Sequence, residues 1–272
     1  MSVNVIVNAS HTPDGASSAL SEQPTCAYLT LTDVLGYQDA LAPVAELLRR
    51  FHGLVPGYWV VVSPMRWAAT HCDGFITEVG ESLGLATQID EARALFEAFA
   101  DFAAPVAFEL HYHQPTLWLM RLKEPFARLP LDSVYRLLNR SMAHVLPHLN
   151  ADGLRFFTES QMFLTERGGE VNGVWFWGDA PLETKQAHVI VGGDKRWFDV
   201  LADTVSSCAL FDATQKPPAQ ALLFITDASW LKSVDLTAYL AHHAQHWHWN
   251  NTSYDTAPVP QWWHWRRWLR FG

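Results

Sequence analysis

The sequence predicts an α/β (or α+β) fold, a mixed sheet with helices packed on it, and three observations predict it. Runs of β-branched and aromatic residues such as "YWVVV", "VNGVWFWG", "AHVIVGG" and "ALLFITD" read as buried strands. Between them apolar residues recur every three or four positions, as amphipathic helices require. The 272 residues are 49% hydrophobic and 17% charged, enough apolar surface for one large core or two modest ones.

The elements follow in order. A strand is expected over 3–7, and "ASHTPDGASSALSEQPT" then has the Ser, Pro, Gly and Asp content of a loop, so residues 1–25 are read as a flexible arm. Residues 26–272 are read as a single globular α/β unit, with two subdomains meeting near 150 as the variant. "YLTLTDVLG" is read as a strand. "YQDALAPVAELLRRFHG" has helical spacing at Leu41, Val44, Leu47, Leu48 and Phe51, with Gly53 as a stop. "GYWVVVSPMRWAATHCDGF" reads as two strands around Ser63-Pro64, because proline cannot donate to a ladder. "IDEARALFEAFADF" is an amphipathic helix, and "VAFELHYHQPTLWLMRL" a hairpin folded at Gln114-Pro115. "LDSVYRLLNRSMAHVLP" has helical spacing up to Pro147, and "GLRFFTESQMFLTERGG" is a further helix closed by Gly168-Gly169. The strands "VNGVWFWG", "AHVIVGG" and "ALLFITD" follow, with helices over 197–205 and 236–248. There is no internal repeat and no interdomain linker.

Composition excludes some partners and favours others. With 19 basic and 28 acidic side chains the formal charge is -9, which opposes binding to nucleic acid or to an anionic membrane surface. Cys26, Cys72 and Cys208 lie far apart without a C-x-x-C, so neither a disulfide framework nor a thiolate zinc site is expected. The start has no basic segment of a secretion signal, and no stretch approaches about 18 apolar residues. A cytoplasmic protein without a transmembrane segment is the expectation.

Several clusters bear chemistry. In "HHAQHWH" a helix would put His242 and His246 one turn apart, the spacing for a shared divalent metal. The zinc-protease pattern needs a glutamate after the first histidine, and His243 stands there, so no cofactor is expected and a metal on His242 and His246 is the lesser reading. "LHYHQP" places His111, His113 and Glu109 on one strand face, the ordinary pattern of a half-buried hairpin. "IVGGDKR" has the turn of an anion site but neither phosphate-loop spacing, and no serine or cysteine nucleophile signature occurs. The tail "QWWHWRRWLRFG" is read as docking its three arginines on acidic surface.

The best candidate site lies around "VNGVWFWGD". Alternation puts Trp175 and Trp177 on one face and Val174 and Phe176 on the other, so the rings read as core and the polar ends, Asn172 and Gly178-Asp179, as the places where chemistry emerges. Glu159 and Gln161, on the preceding helix, complete a cleft for a small molecule or protein partner.

"GYWVVVSPMRW", "TESQMFL", "VNGVWFWG" and "WHWRRWLR" together resemble a poorly characterised bacterial family, labelled cofactor-independent phosphoglycerate mutase-like or pathogenicity-factor-type regulatory proteins. Glu159, Gln161, Met162, Asn172 and Gly178 match its Glu-x-Gln-Met helix and the strand after it. Where family members carry Trp-Leu-x-Ala-Asp-Pro-Val-His, this chain has Ser63 for the acid and Arg66 for the histidine. The resemblance implies a regulatory role, or a phosphotransfer or hydrolytic activity. Metal-dependent mutases use a Ser or Thr nucleophile and metals held by Asp and His, including an Asp-His pair; in "LFITDAS" Ala228 follows the aspartate instead. The residues themselves favour binding of a small molecule or partner, with the enzyme as the alternative.

Overall fold

In the computed structural model, which describes residues 2–10, 24–70, 73–212, 214 and 221–256, two sheets carry seven α-helices packed around them among the described residues. The chain opens with β1 (Ser2–Val7) and α1 (Ala27–Val34). It continues through α2 (Val44–Phe51), β2 (Tyr58–Ala69), β3 (Gly74–Val79), α3 (Ile89–Ala103), β4 (Ala107–Gln114), β5 (Leu117–Leu122), α4 (Val134–Leu137), α5 (Ala151–Arg167) and β6 (Gly173–Trp177). There follow β7 (Lys185–Gly192), α6 (Lys195–Ala202), β8 (Val205–Leu210), β9 (Leu222–Ile225), α7 (Val234–Ala241), β10 (Ala244–His248) and β11 (Ser253–Thr256). The chain forms two units, Met1–Leu35 with Glu183–Gly272, and Gly36–Leu182, so residue 150 lies inside the second. No helix among the described residues is long and apolar enough to cross a membrane.

The first unit is a sheet in the order β11-β10-β1-β9-β7-β8, parallel except for β11. Its central strands are apolar on both sides because both sides are covered. Val3, Val5 and Val7 of β1 pack with Leu223 and Ile225 against Leu236, Tyr239 and Leu240 of α7. On the opposite face Phe224 meets the Trp197 ring edge-on at 5.2 Å, and Trp197 stacks on Tyr28 of α1 at 5.2 Å. Residues 11–23 of the expected arm lie outside the described residues, whereas Ser2–Val7 is a strand inside the sheet.

Three expectations for this unit are corrected. "YLTLTDVLG" is the helix α1, not a strand: Tyr28, Leu31, Thr32 and Leu35 are buried at helical spacing. The Thr32 hydroxyl donates to Leu29 O at 2.7 Å, so its burial is compatible with a helix. The helix expected over 197–205 ends at Ala202, and Val205 begins the unforeseen strand β8. The helix expected over 236–248 stops at Ala241, and Ala244–His248 pairs with β1 instead, because a parallel ladder for five residues was open there.

The second unit is built on β2. Its 58–62 segment pairs with β5 and its 65–69 segment with β3, while β6 pairs with 61–65 on the other edge, where Met65 faces both Val79 and Gly173. β2 runs unbroken through Pro64, which corrects the expectation of two strands. Asn172 N donates to Met65 O, so Met65 directs its backbone groups to β6 and Pro64 directs its own to the other edge. That edge is vacant there, since β5 pairs last at Val62 and β3 first at Met65, so the missing N–H costs no ladder bond. The hairpin β4–β5 turns at Gln114-Pro115 as expected.

The helix expected through Pro147 is reduced to α4, four residues long. Asn139 takes a positive φ of 57°, and its N–H donates to Ile76 O at 2.8 Å. Backbone pairing with β3 replaces the helical ladder, and buries Leu137 and Met142 just as well. α5 keeps its full expected length and buries Gly153, Phe156, Phe157, Ser160 and Leu164. A Cβ at Gly153 would lie 2.1 Å from Phe126 O, so only glycine permits this approach.

Candidate functional site

The strand "VNGVWFWGD" shows which of its polar groups are committed to the fold. Trp175 and Trp177 are 0% and 1% exposed, and each indole is satisfied internally: Trp175 Nε1 donates to Asp132 O and Trp177 Nε1 to Ser63 Oγ, both at 2.9 Å. Buried rings with satisfied N–H groups are core. Val174 and Phe176 are equally buried on the other face, where Phe126 and Phe156 pack on Phe176.

Asn172 is a clamp. Its Oδ1 accepts from Trp67 N at 2.6 Å and its Nδ2 donates to Trp67 O at 2.9 Å, so one side chain completes the ladder where β2 bulges between Arg66 and Trp67. Gln161 packs with Met65 over Gly173, its amide nitrogen buried without a partner. Glu159 is elsewhere: it pairs with Arg155 at 2.8 Å and lines a groove of about 310 Å³ with Phe126, Asp152 and Phe156. The seven candidate residues therefore fall into a core, a seam, a groove and one strand end, rather than one cleft.

The strand end is the part with chemistry left over. Gly178 has φ of 77°, and its carbonyl accepts from Ala45 N at 2.9 Å, which pins the end of β6 to the start of α2. The turn delivers Asp179 to Tyr58, whose hydroxyl donates to the Asp179 carboxylate. Burial pushes the Asp179 carboxyl above its usual range, against the lowering effect of that bond, and burial beside Asp179 raises Tyr58. Asp179, Tyr58, Trp59, Glu46 and Arg50 line a cavity of about 280 Å³. Burial also raises Glu46, but hydrogen bonds from Arg49 and Arg50 outweigh it and hold the carboxyl low. The sequence signalled Asp179 by its position; it carried no signal for Tyr58, Glu46 or Arg50, which reach the cavity from β2 and α2.

A larger cavity, about 640 Å³, lies in the first unit on the β10–β11 side. His246 and His248 share a face of β10; His246 stands in register with Asn4 of β1 and Asp255 of β11, and His248 with Ile6 and Ser253. His246 Nδ1 lies 2.5 Å from Asp255 Oδ1, and since a carboxylate only accepts, Nδ1 carries the proton and Nε2 is left over. His248 Nε2 lies 3.5 Å from Asn4 Oδ1. Burial, and then the neighbouring His246, lower the His248 pKa.

His242 is not one turn from His246 on a helix, since it caps α7 and His246 is on β10. Among the described residues no group of three or more His, Cys, Asp or Glu side chains is placed to hold a metal. His243 is hydrogen-bonded but only half-buried: its Nδ1 lies 2.9 Å from Tyr239 O and its ring stacks on Tyr239. In "LHYHQP" His113 is hydrogen-bonded to His52 at 2.8 Å and His111 lies 4.2 Å from the same ring, so the pair ties β4 to α2. The turn in "IVGGDKR" is occupied by its own aspartate, as Asp194 caps Arg196 N at 2.9 Å and grips the Arg196 side chain. The arginine-bearing tail, 261–272, lies outside the described residues.

No protein-family model matches the chain, and no curated protein matches it. Among solved structures it has a weak likeness to "Cofactor-Independent Phosphoglycerate Mutase from Thermoplasma acidophilum DSM 1728", at 7% identity and a TM-score of 0.33, over 93% of this chain and 87% of that one.

Proposed function

We propose that the protein binds a small organic anion in the histidine-lined cavity of the first unit. The observation that carries this reading is the convergence of His246, His248 and Asn4 on a cavity of about 640 Å³, within the roughly 300–1,000 Å³ of small-molecule sites. Among the described residues the titratable groups on its wall are His188, His246, His248, Tyr254 and Asp255. Asp255 is engaged by His246, so the ring nitrogens left over act as donors once protonated, and a protonated imidazole favours an anionic head group. Val34, Leu35 and Leu222 supply an apolar wall for the rest of the molecule.

Titration with phenyl phosphate, benzoate and neutral benzyl alcohol tests this at about pH 5 and about pH 8.5, the lower value chosen well into the acid range because burial lowers the His248 pKa. The anions are expected to bind at least tenfold more tightly at the lower pH, with His246→Gln and His248→Gln each removing the gain. Equal binding of benzyl alcohol, or anion binding indifferent to pH and to both substitutions, overturns the reading. The preferred anion tells a phosphate head from a carboxylate.

A further inference from the structure

We propose that the cavity at Asp179 is a second ligand site, in the other unit, for a small zwitterion that carries a primary ammonium and a carboxylate. The two ends of such a molecule match two groups on the same cavity wall.

The ammonium end is argued from Asp179. Among the described residues no lysine, arginine or histidine pairs with it, and the side chain that reaches it is the Tyr58 phenol. A largely buried carboxylate whose donors, the Tyr58 phenol and its own backbone N–H, are both neutral is poorly compensated, and a cation brought to it restores what burial removes. Burial does raise this carboxyl, so an ammonium that binds the ionised form competes with a proton. A neutral ligand gains nothing of this kind.

The carboxylate end is argued from Arg50. Its Nε donates to Glu46 Oε1 at 2.8 Å, while its two terminal nitrogens donate to none of the described residues. Glu46 is already shared between Arg49 and Arg50, so it leaves the Arg50 fork able to take a second carboxylate. Trp59 and Pro181 also line the cavity. At about 280 Å³ the space is at the small end of ligand sites, which suits a molecule of few carbon atoms. The Gly178 turn and the Ala45 bond fix the Asp179 backbone against α2, the helix that bears Arg50 and Glu46, so the two charges are held by one rigid corner.

Calorimetric titration of the full chain with β-alanine, n-propylamine, propionate and n-propanol tests both ends. β-Alanine is expected to bind most tightly, propylamine about tenfold more weakly, and the other two not measurably. Asp179→Asn is expected to abolish binding of both amines, and Arg50→Gln to reduce β-alanine to the level of propylamine. Binding should also fade as the pH falls and Asp179 takes up a proton, a readout on the unaltered protein that does not depend on a variant folding. Equal binding of propylamine and β-alanine overturns the zwitterion, and binding of propanol or propionate as tight as that of β-alanine, or amine binding unchanged in Asp179→Asn, overturns the site.

Discussion

The two ends of one strand differ in how fully their polar atoms are used. At the start of β6, Asn172 has both polar side-chain atoms bonded to the Trp67 backbone; at its end, the Asp179 carboxylate has only neutral donors, the Tyr58 phenol and its own backbone N–H, beside a cavity. A polar group whose capacity is filled by the backbone holds the fold, while one left half-compensated at a cavity has something to offer a ligand. The difference lies in the partners, since both residues sit at the mouth of the same buried strand.

The comparison is sharpest where the strand itself is broken. Trp175→Ala removes a fully buried ring and leaves the Asp132 carbonyl without its donor, and is expected to cost about 3–5 kcal/mol in a chemical denaturation measurement. Asn172→Ala leaves two Trp67 backbone groups unpaired and is expected to cost about 2 kcal/mol. Asn172→Asp should fare no better than alanine, because an ionised carboxylate cannot donate to the Trp67 carbonyl. If Asn172→Ala proves neutral, the clamp is not structural and the comparison fails.

At the other end the expected effect is smaller and has the opposite sign. The Asp179 pKa is raised in the folded chain, so its contribution to stability is fully present below the ordinary aspartate value and is lost as the pH rises through the raised value. Asp179→Asn removes this dependence. The difference in stability between wild type and variant should therefore drift in favour of the variant as the pH rises, which paired denaturation curves across the acid range would measure. A variant that instead loses stability at neutral pH would place Asp179 with Asn172 as a fold residue. The smallest effect is expected at Glu159, whose pair with Arg155 is open to solvent: Glu159→Ala should leave the thermal midpoint unchanged.

Much of the second unit was legible because its signals are local. The α5 helix, the β4–β5 hairpin and the buried faces of β6 follow from side-chain periodicity, which registers which residues face a core. "YLTLTDVLG" has Thr30 and Thr32 alternating with apolar residues, and their back-bonding to Cys26 O and Leu29 O hides the helical stripe behind that apparent alternation. Residues 138–145 and 244–248 carry helical spacing, yet pair with strands distant in sequence because tertiary backbone partners were available. Pro64 was misread for the converse reason: a proline is harmless where the facing edge is empty, and only the strand order shows that it is.

The candidate sites divide in the same way. The residue order by itself determined that Trp175 and Trp177 are core, that Asn172 and Asp179 stand where the strand meets its ends, and that the chain carries a formal charge of -9. Only the tertiary structure decided that Asn172 is tied to backbone while Asp179 faces a cavity with neutral donors alone, and that Tyr58, Glu46 and Arg50 share that cavity. It alone set His246 beside Asp255 and in register with Asn4, residues 242 positions apart in the chain. The physical reason is range: periodicity reports the environment of a strand or a helix face one element at a time, whereas hydrogen-bond satisfaction and the convergence of charges depend on which distant elements the sheet brings into register.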